Sequence, residues 1–348
     1  MESQRSTDHG RGARDTQSSH DRGALESGQG RGALDYRIAR LDDAMFWADV
    51  YTAAQPVRPV DPVITRYGWE HPARLWRVAR YVVLRGAEQI GVAAWDRPEW
   101  DHTEQRFGLI GGELLPEHRD AATLAAMLAR MEAEVHAEGA VIVRGGANED
   151  DALRADVLRS LGYREDRKAR RWELDLALGK ARILAMTEVC RAKMRDQGVR
   201  MLTLADDDDP DAVRKIWRLS VEAERDEPKT LGNVDEALED YVEWFDAPEM
   251  RRDRVWLARE GDEIVGISAL EYPPVRGFVG TAWTATARSV RGRGIARALK
   301  CETLAQAIPL GVDRVRTGND AQNDPILHIN ASMGYRPITG RTDFLKDV

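Results

Sequence analysis

The same order of strands and helices occurs twice in this chain of 348 residues, at a spacing of about 170 residues. Each copy starts with a strand and a helix, continues with three strands and a longer helix, and closes with a strand, a helix and a strand. The last helix leads into Leu-Gly-Tyr at 161–163 and into Met-Gly-Tyr at 333–335. This duplication predicts two related domains, each an α/β or α+β sandwich with several strands in hairpin order.

Composition divides the chain into four segments. Residues 1–33 are rich in Gly, Ser, Arg, Asp and His, and their few apolar side chains cannot offset the entropy of ordering, which predicts a disordered tail. A partner-binding arm is the alternative for this tail. The two copies are predicted to occupy residues 34–176 and 199–348. Residues 177–198 have apolar side chains at helical spacing and are predicted to form a helical connector.

Charge and cysteine content exclude several classes of function. The net charge is −8, whereas binding to a phosphate backbone selects a basic face, so we expect no nucleic-acid partner. No apolar run approaches the roughly 20 residues of a membrane span, and the N-terminus has no apolar signal core. The two cysteines, Cys190 and Cys301, provide neither a disulfide framework nor metal-ligand spacing. We therefore expect a cytoplasmic protein without membrane attachment or bound metal.

Residues 284–300, T-A-T-A-R-S-V-R-G-R-G-I-A-R-A-L-K, pass from a predicted strand through a glycine turn into a predicted helix. Such a turn directs backbone N–H groups to one side, and the helix N-terminus adds the positive end of its dipole. Gly292 and Gly294 would let an anion approach without a Cβ in the way. Positive charge comes from Arg288, Arg291 and Arg293. The stretch predicts a pyrophosphate site, with a solvated basic helix start as the alternative; it matches neither the dinucleotide nor the Walker motif.

Two segments of the second copy together resemble the GNAT acyltransferases. R-x-x-G-x-A at 291–296 is followed by T-x-N-x-x-x-N-x-P-x-L-x-x-N-x-x-x-G-Y at 317–335. The two copies resemble the tandem-GNAT arrangement of mycothiol synthase and its actinobacterial relatives, over about residues 34–345, specifically in the second half and only architecturally in the first. The resemblance implies two tandem GNAT domains, each a mixed, mostly antiparallel sheet flanked by helices. It also implies an acyl-CoA, most simply acetyl-CoA, as cosubstrate.

The resemblance further implies which residues hold the acyl-CoA. The pantetheine arm would bind main-chain groups on a strand that splays from its neighbour, namely Thr284, Ala285 and Thr286. The pyrophosphate would bind N–H groups of Arg291, Gly292, Arg293, Gly294, Ile295 and Ala296. Asn319 and Asn323 would line the pantetheine and thioester side, with turn or helix-cap roles as the alternative.

One position departs from the family pattern. Many GNAT enzymes carry a tyrosine seven residues after the position of Asn323, and this tyrosine protonates the leaving thiolate. The chain has Asn330 there. An amide can hydrogen-bond the sulfur but cannot act as a general acid of that kind. The thiolate would then leave unassisted or be protonated by water.

Acyl transfer to an amine requires a neutral amine, and a nearby carboxylate can take the ammonium proton directly or through water. Glu271 ends an otherwise apolar predicted strand, where a raised carboxyl pKa is expected. Asp226 lies in the loop after the first helix of the second copy, where GNAT proteins often build the acceptor wall. Both are candidate catalytic carboxylates, and an exposed structural charge is the alternative for each. The acidic balance favours a cationic acceptor such as an amino sugar, an aminoacylated metabolite or a peptide N-terminus.

The first copy lacks the glycine turn. Aligning the two turns places Asp120 on Gly292 and Ala122 on Gly294. A carboxylate is electrostatically unfavourable where a pyrophosphate needs a donor. We therefore predict a degenerate first domain that completes the acceptor cleft of the second.

These observations predict an N-acyltransferase in which a primary amine of a small molecule or peptide attacks the thioester directly, in a ternary complex. Neither cysteine lies in a motif that indicates a nucleophile. The Arg/Ala-rich composition, which resembles that of actinobacterial proteins, associates the chain with antibiotic tailoring or self-resistance. Two alternatives remain: mycothiol-synthase-like acetylation of a cysteinyl glycoside, and a non-catalytic acyl-CoA-binding sensor or scaffold. The sequence leaves both a monomer and a homodimer open.

Overall fold

The structure, a computed structural model, describes residues 33–348, so the prediction of a disordered tail falls almost entirely outside the described residues. The first half contains the strands β1 Asp35–Ile38, β2 Trp76–Arg85, β3 Glu88–Pro98, β4 Phe107–Leu114, β5 Ile142–Asn148 and β6 Arg164–Asp175. Its helices are α1 Ala44–Ala54, α2 Pro62–Glu70, α3 Ala121–Ala137 and α4 Ala152–Ser160. The long helix α5, Leu176–Asp196, connects the halves.

The second half repeats this order. Its strands are β7 Arg200–Thr203, β8 Val255–Glu260, β9 Glu263–Glu271, β10 Val279–Thr286, β11 Arg314–Asp320 and β12 Arg336–Asp347. Its helices are α6 Ala212–Glu224, α7 Leu238–Phe245, α8 Ile295–Ala307 and α9 Asp324–Met333. α2 and α7 were not predicted from the sequence. The start of α2 nevertheless has a recognisable signal, because Asp61 accepts hydrogen bonds from two N–H groups of its first turn and Pro62 follows.

The halves exchange their closing strands. The strand order is β1-β2-β3-β4-β5-β12-β6-β11-β10-β9-β8-β7, so the last strand of each half lies against the sheet of the other. β6 pairs with β11 from Asp175 to Ala169, and β12 pairs with β5 along its C-terminal part. The predicted mixed, mostly antiparallel sheets flanked by helices are confirmed, and they are joined into one sheet of twelve strands. The exchange leaves neither half with an open edge at the junction.

Helices cover both faces of the sheet. α3, α4, α5, α8 and α9 lie on one face, while α1, α2, α6 and α7 lie on the other. α5 packs on α8, where the Sγ atoms of Cys190 and Cys301 are 3.9 Å apart although the residues are distant in sequence. No helix among residues 33–348 is both long and apolar enough to cross a bilayer.

One strand pair of the second half separates part-way along its length. β10 and β11 run parallel but pair only at Val279 and Gly280. A bulge between Thr281 and Trp283 follows, and the remainder of β10 pairs with β9 alone. We call the gap beyond Gly280 the splay, and the point at Gly280 where the two strands part its vertex.

Candidate functional site

The turn that links β10 to α8 forms a backbone concavity. Gly292 and Gly294 have positive φ angles of 79° and 92°, which only glycine adopts at low cost. Gly294 is the N-cap of α8, and no side chain caps the helix. Within residues 33–348, no acceptor is found for the backbone N–H groups of Gly292, Arg293, Gly294, Ile295 and Ala296. We call these five N–H groups the cradle; unpaired N–H groups beside a helix N-terminus favour an anion.

The arginines of the turn are already paired. Arg288 and Arg291 both hold Asp226, with nitrogen–oxygen distances of 2.7 and 2.6 Å. The hydrogen bond from Arg288 is the largest cause of a pKa of Asp226 well below the usual range of a carboxyl group. A carboxylate held in this way is a poor proton acceptor. The geometry therefore argues against the expected role of Asp226 as a base and gives it the role of positioning two arginines at the cradle rim.

Two further cations lie beside the cradle, and neither was predicted from the sequence. A Cβ at Gly294 would be 3.1 Å from Nζ of Lys193, which projects from α5. Arg297 follows on the first turn of α8. Neither side chain has a carboxylate within ion-pair distance in the described part of the chain, whereas Arg293 pairs with Glu260. Lys193 could not be found from sequence, because only the packing of α5 on α8 brings it to the turn.

The splay exposes main-chain groups of β10. Thr284, Ala285 and Thr286 pair with β9 on one side and have no strand partner on the other. The Thr284 hydroxyl is 2.9 Å from that of Ser268 on β9, which leaves the main chain as the polar surface that faces the gap. This is the arrangement that the resemblance implied for the pantetheine arm.

The asparagines lie across the splay from β10. Asn323 precedes α9, but its side chain makes no capping hydrogen bond, so the alternative role as a cap is not observed. Asn319 ends β11, and its Oδ1 accepts a hydrogen bond of 2.8 Å from Nδ2 of Asn330. Asn330 is fully buried, and its Oδ1 has no partner among the described residues. The structure therefore brings Asn319 and Asn330 into contact.

Glu271 lies at the vertex of the splay. It is the partner of Gly280 across β9 and β10, and its Oε1 is 2.7 Å from the position that a Cβ on Gly280 would take. The carboxylate thus covers the last paired residue of β10 on the face that carries α6. Burial, and secondarily Glu249, raises the pKa of Glu271, as expected from the sequence. A carboxyl group with a raised pKa is a better proton acceptor than an ordinary carboxylate.

Residues after α6 form a wall that the first half holds in place. The backbone N–H of Gly232 donates to Oε1 of Gln105, and Asn233 Nδ2 donates to Oε1 of Glu104. The same segment carries Glu236, whose hydrogen bond to Glu224, together with the larger effect of burial, raises the pKa of Glu224 to about 8. This carboxyl pair was not predicted from the sequence, because only the fold brings the two residues together.

The corresponding turn of the first half has no cradle. Asp120 is the N-cap of α3, and its carboxylate accepts a hydrogen bond from the N–H of Thr123. Asp120 therefore takes the place of Gly294 rather than of Gly292, because the turn is two residues shorter than the alignment assumed. A carboxylate already occupies the N–H groups that an anion would need.

A buried arginine fills the gap between β4 and β5. These strands pair only from Phe107 to Leu109, and beyond that point Arg154 donates to the carbonyl oxygens of Gly112 and Gly146, at 2.8 and 2.9 Å. The same guanidinium is 3.4 Å from the fully buried carboxylate of Glu113. The part of the gap between β4 and β5 that Arg154 does not fill is a cavity of about 130 Å³. The first half thus has neither the cradle nor an open splay.

Comparison with known proteins agrees with this geometry. Residues 214–335 match the model of the Acetyltransferase (GNAT) family. The second half contains a GNAT domain. A search of curated proteins finds no match.

Solved structures extend the likeness to both halves. A tandem GNAT protein from the clavulanic acid biosynthesis pathway superposes with a TM-score of 0.68 at 15% identity, covering 90% of this chain and 98% of its own. A GCN5-related N-acetyltransferase from Sphaerobacter thermophilus gives a TM-score of 0.63 at 17% identity, with coverages of 90% and 95%. At these identities the likeness shows the fold, which is that of tandem GNAT proteins. No group of metal-ligating side chains is found within residues 33–348.

Proposed function

We propose that the protein is an acyl-CoA-dependent N-acyltransferase, with acetyl-CoA as the simplest donor and with one donor site, in the second half. The observation that carries the proposal is the continuity of the cradle with the splay. Five unpaired N–H groups at the start of α8 lead into a gap lined by unpaired main-chain groups of β10. A long ligand fits this arrangement if its anionic end binds the N–H groups of the cradle and its amide-containing arm binds the main-chain groups of the splay.

In the proposed reaction, the amine enters from the face that carries α6. Glu271 accepts its ammonium proton, directly or through water, because burial has raised the pKa of this carboxyl. The amine then attacks the thioester carbon in a ternary complex. Because the pKa of Glu224 is about 8, this carboxyl holds its proton at pH 7, and a cationic acceptor beside the Glu224–Glu236 pair would favour the ionised form.

A small cationic metabolite or natural product is the acceptor class that we propose. The acidic wall supports a cationic acceptor, and the similar fold of a protein from the clavulanic acid biosynthesis pathway supports a role in natural-product tailoring or self-resistance. The two cysteines are free, which fits a reducing cytoplasm.

Calorimetry and native mass spectrometry with acetyl-CoA test the donor site, on wild type and on Gly294→Asp. The carboxylate would stand in the cradle, so we expect one equivalent bound by wild type and none by the variant. Gly311→Asp is the matched control, because Gly311 also has a positive φ of 78° and lies just beyond the opposite end of α8. No binding by wild type would refute the proposal, and two equivalents would contradict a degenerate first half.

Thiol release from acetyl-CoA in the presence of an amine panel separates an enzyme from a sensor. A transferase releases thiol with at least one class of cationic amine, and Glu271→Gln loses this release while still binding acetyl-CoA. Tight binding of acetyl-CoA without release by any amine, cysteinyl glycosides included, would favour the non-catalytic alternative.

A further inference from the structure

Lys300 is a buried lysine without a partner of opposite charge. It lies on the second turn of α8 and is 2% exposed. Its Nζ has one long hydrogen bond, of 3.4 Å, to Oγ1 of Thr281 and is 5.4 Å from the centre of the Tyr335 ring. No carboxylate of residues 33–348 lies within ion-pair distance of it. An ammonium group removed from water in this way costs free energy unless a ligand satisfies it.

The surrounding groups are polar and also unsatisfied. The hydroxyl of Tyr335 and the Oδ1 of Asn330 are buried without partners among the described residues. Tyr335 is 4% exposed and Asn330 is fully buried. Together with the Lys300 ammonium, which has no counter-ion among the described residues, these two unpartnered polar atoms favour a place that a polar ligand can occupy.

This group lies at the vertex of the splay, on the face opposite to Glu271. Thr281 follows Gly280 in β10, and successive side chains of a strand point to opposite faces. Glu271 covers Gly280 on the side of α6, while Lys300 reaches Thr281 from α8. A thioester that lies across the vertex would therefore have a carboxylate on one side and an ammonium group on the other.

We propose that Lys300 is a catalytic residue that donates a proton to the sulfur of the leaving CoA thiolate, in place of the tyrosine that α9 lacks. This inference rests on the proposed function. The amine nitrogen forms a bond to the carbonyl carbon and releases its second proton to water, the C–S bond breaks with its electron pair on sulfur, and sulfur takes a proton from Nζ. Neutral lysine regains a proton from water when the products leave. Burial lowers the pKa of Lys300 to about 8, which makes its proton easier to transfer.

The test compares the binding of CoA with that of desulfo-CoA, in which hydrogen replaces the thiol, by calorimetry between about pH 6 and pH 9. A neighbouring ammonium group lowers the thiol pKa of bound CoA. The preference of wild type for CoA over desulfo-CoA should therefore rise with pH, by up to about tenfold for each unit by which the pKa falls. Lys300→Met should bind both compounds with a ratio that does not change with pH.

The other titratable groups near Lys300 are the same in wild type and in Lys300→Met. Cys301 and Tyr335 lie next to Lys300, and Glu302 on the same helix is paired with Arg191 of α5. They are present in wild type and in the variant, so the difference isolates the lysine. Thr303→Val removes another buried polar group of α8, one that bonds only the Lys300 carbonyl oxygen, and should keep the wild-type pH dependence.

The outcomes separate this inference from the proposed function. A ratio that is flat in wild type, or that rises equally in Lys300→Met, overturns the role of Lys300 while CoA binding stands. Failure of wild type to bind either compound contradicts the acyl-CoA site itself. Thiolate absorbance of bound CoA gives an independent reading, and we expect it to appear at lower pH in wild type than in Lys300→Met.

Discussion

Lys300→Met should stabilise the protein, because it replaces an unpaired buried ammonium by an apolar side chain of similar length. Burial lowers the pKa of Lys300 from 10.5 to about 8. At about 1.4 kcal/mol for each pKa unit, protonated Lys300 disfavours folding by about 3 kcal/mol at neutral pH. We therefore expect the free energy of unfolding of Lys300→Met at pH 7 to exceed that of wild type by up to this amount.

The effect should depend on pH with a defined sign. Between about pH 8 and pH 10.5, the unfolded chain still holds the lysine proton while the folded chain has lost it. Wild type thus gains stability as pH rises through this window, whereas the variant does not, and the difference between them shrinks. Urea unfolding at pH 7 and near the upper end of the window measures both quantities. A variant less stable than wild type at pH 7 would show that the ammonium group is satisfied in the folded protein.

Three further substitutions test the site and the fold. Glu271→Gln should lower acyl transfer by about 100-fold or more and remove the rise in rate with pH that the raised pKa of this carboxyl produces, as pH–rate profiles would show. Asp226→Asn should keep that rise, because its pKa lies far below the assay range; a lost rise would restore Asp226 as the base. Arg154→Met should lower the free energy of unfolding by about 1–3 kcal/mol, since it removes the buried hydrogen bonds to the carbonyl oxygens of Gly112 and Gly146 while Glu113 keeps its ion pair with Arg119. The variant should still bind only one acetyl-CoA; urea unfolding measures the first quantity and calorimetry the second.

Much of the fold follows from local pattern. Apolar periodicity and turn residues predicted the order of strands and helices in both halves, apart from α2 and α7. The exchange of β6 and β12 could not be predicted from the sequence, because a strand's own residues do not determine which of two similar sheets it joins. β6 begins at Arg164, in a highly charged stretch that only pairing with β12 and β11 makes a strand.

The cofactor side of the candidate site was more predictable than the acceptor side. The cradle is a local feature, made by consecutive residues whose glycines are visible in sequence. Asp226 shows the opposite case. Its place in a loop suggested a base. Two arginines in the turn after β10 lower its pKa instead, and no spacing in the sequence indicates that contact.

The sequence by itself determined the duplication, the order of elements and the glycine turn that leaves N–H groups unpaired, because each depends on residues close together in the chain. Only the tertiary structure decided which side chains surround the vertex of the splay. Glu271 and Lys300 come from a strand and a helix 29 positions apart in the chain, and only the sheet places them on its two faces. Burial then shifts their pKa values in opposite directions, raising that of the Glu271 carboxyl and lowering that of the Lys300 ammonium.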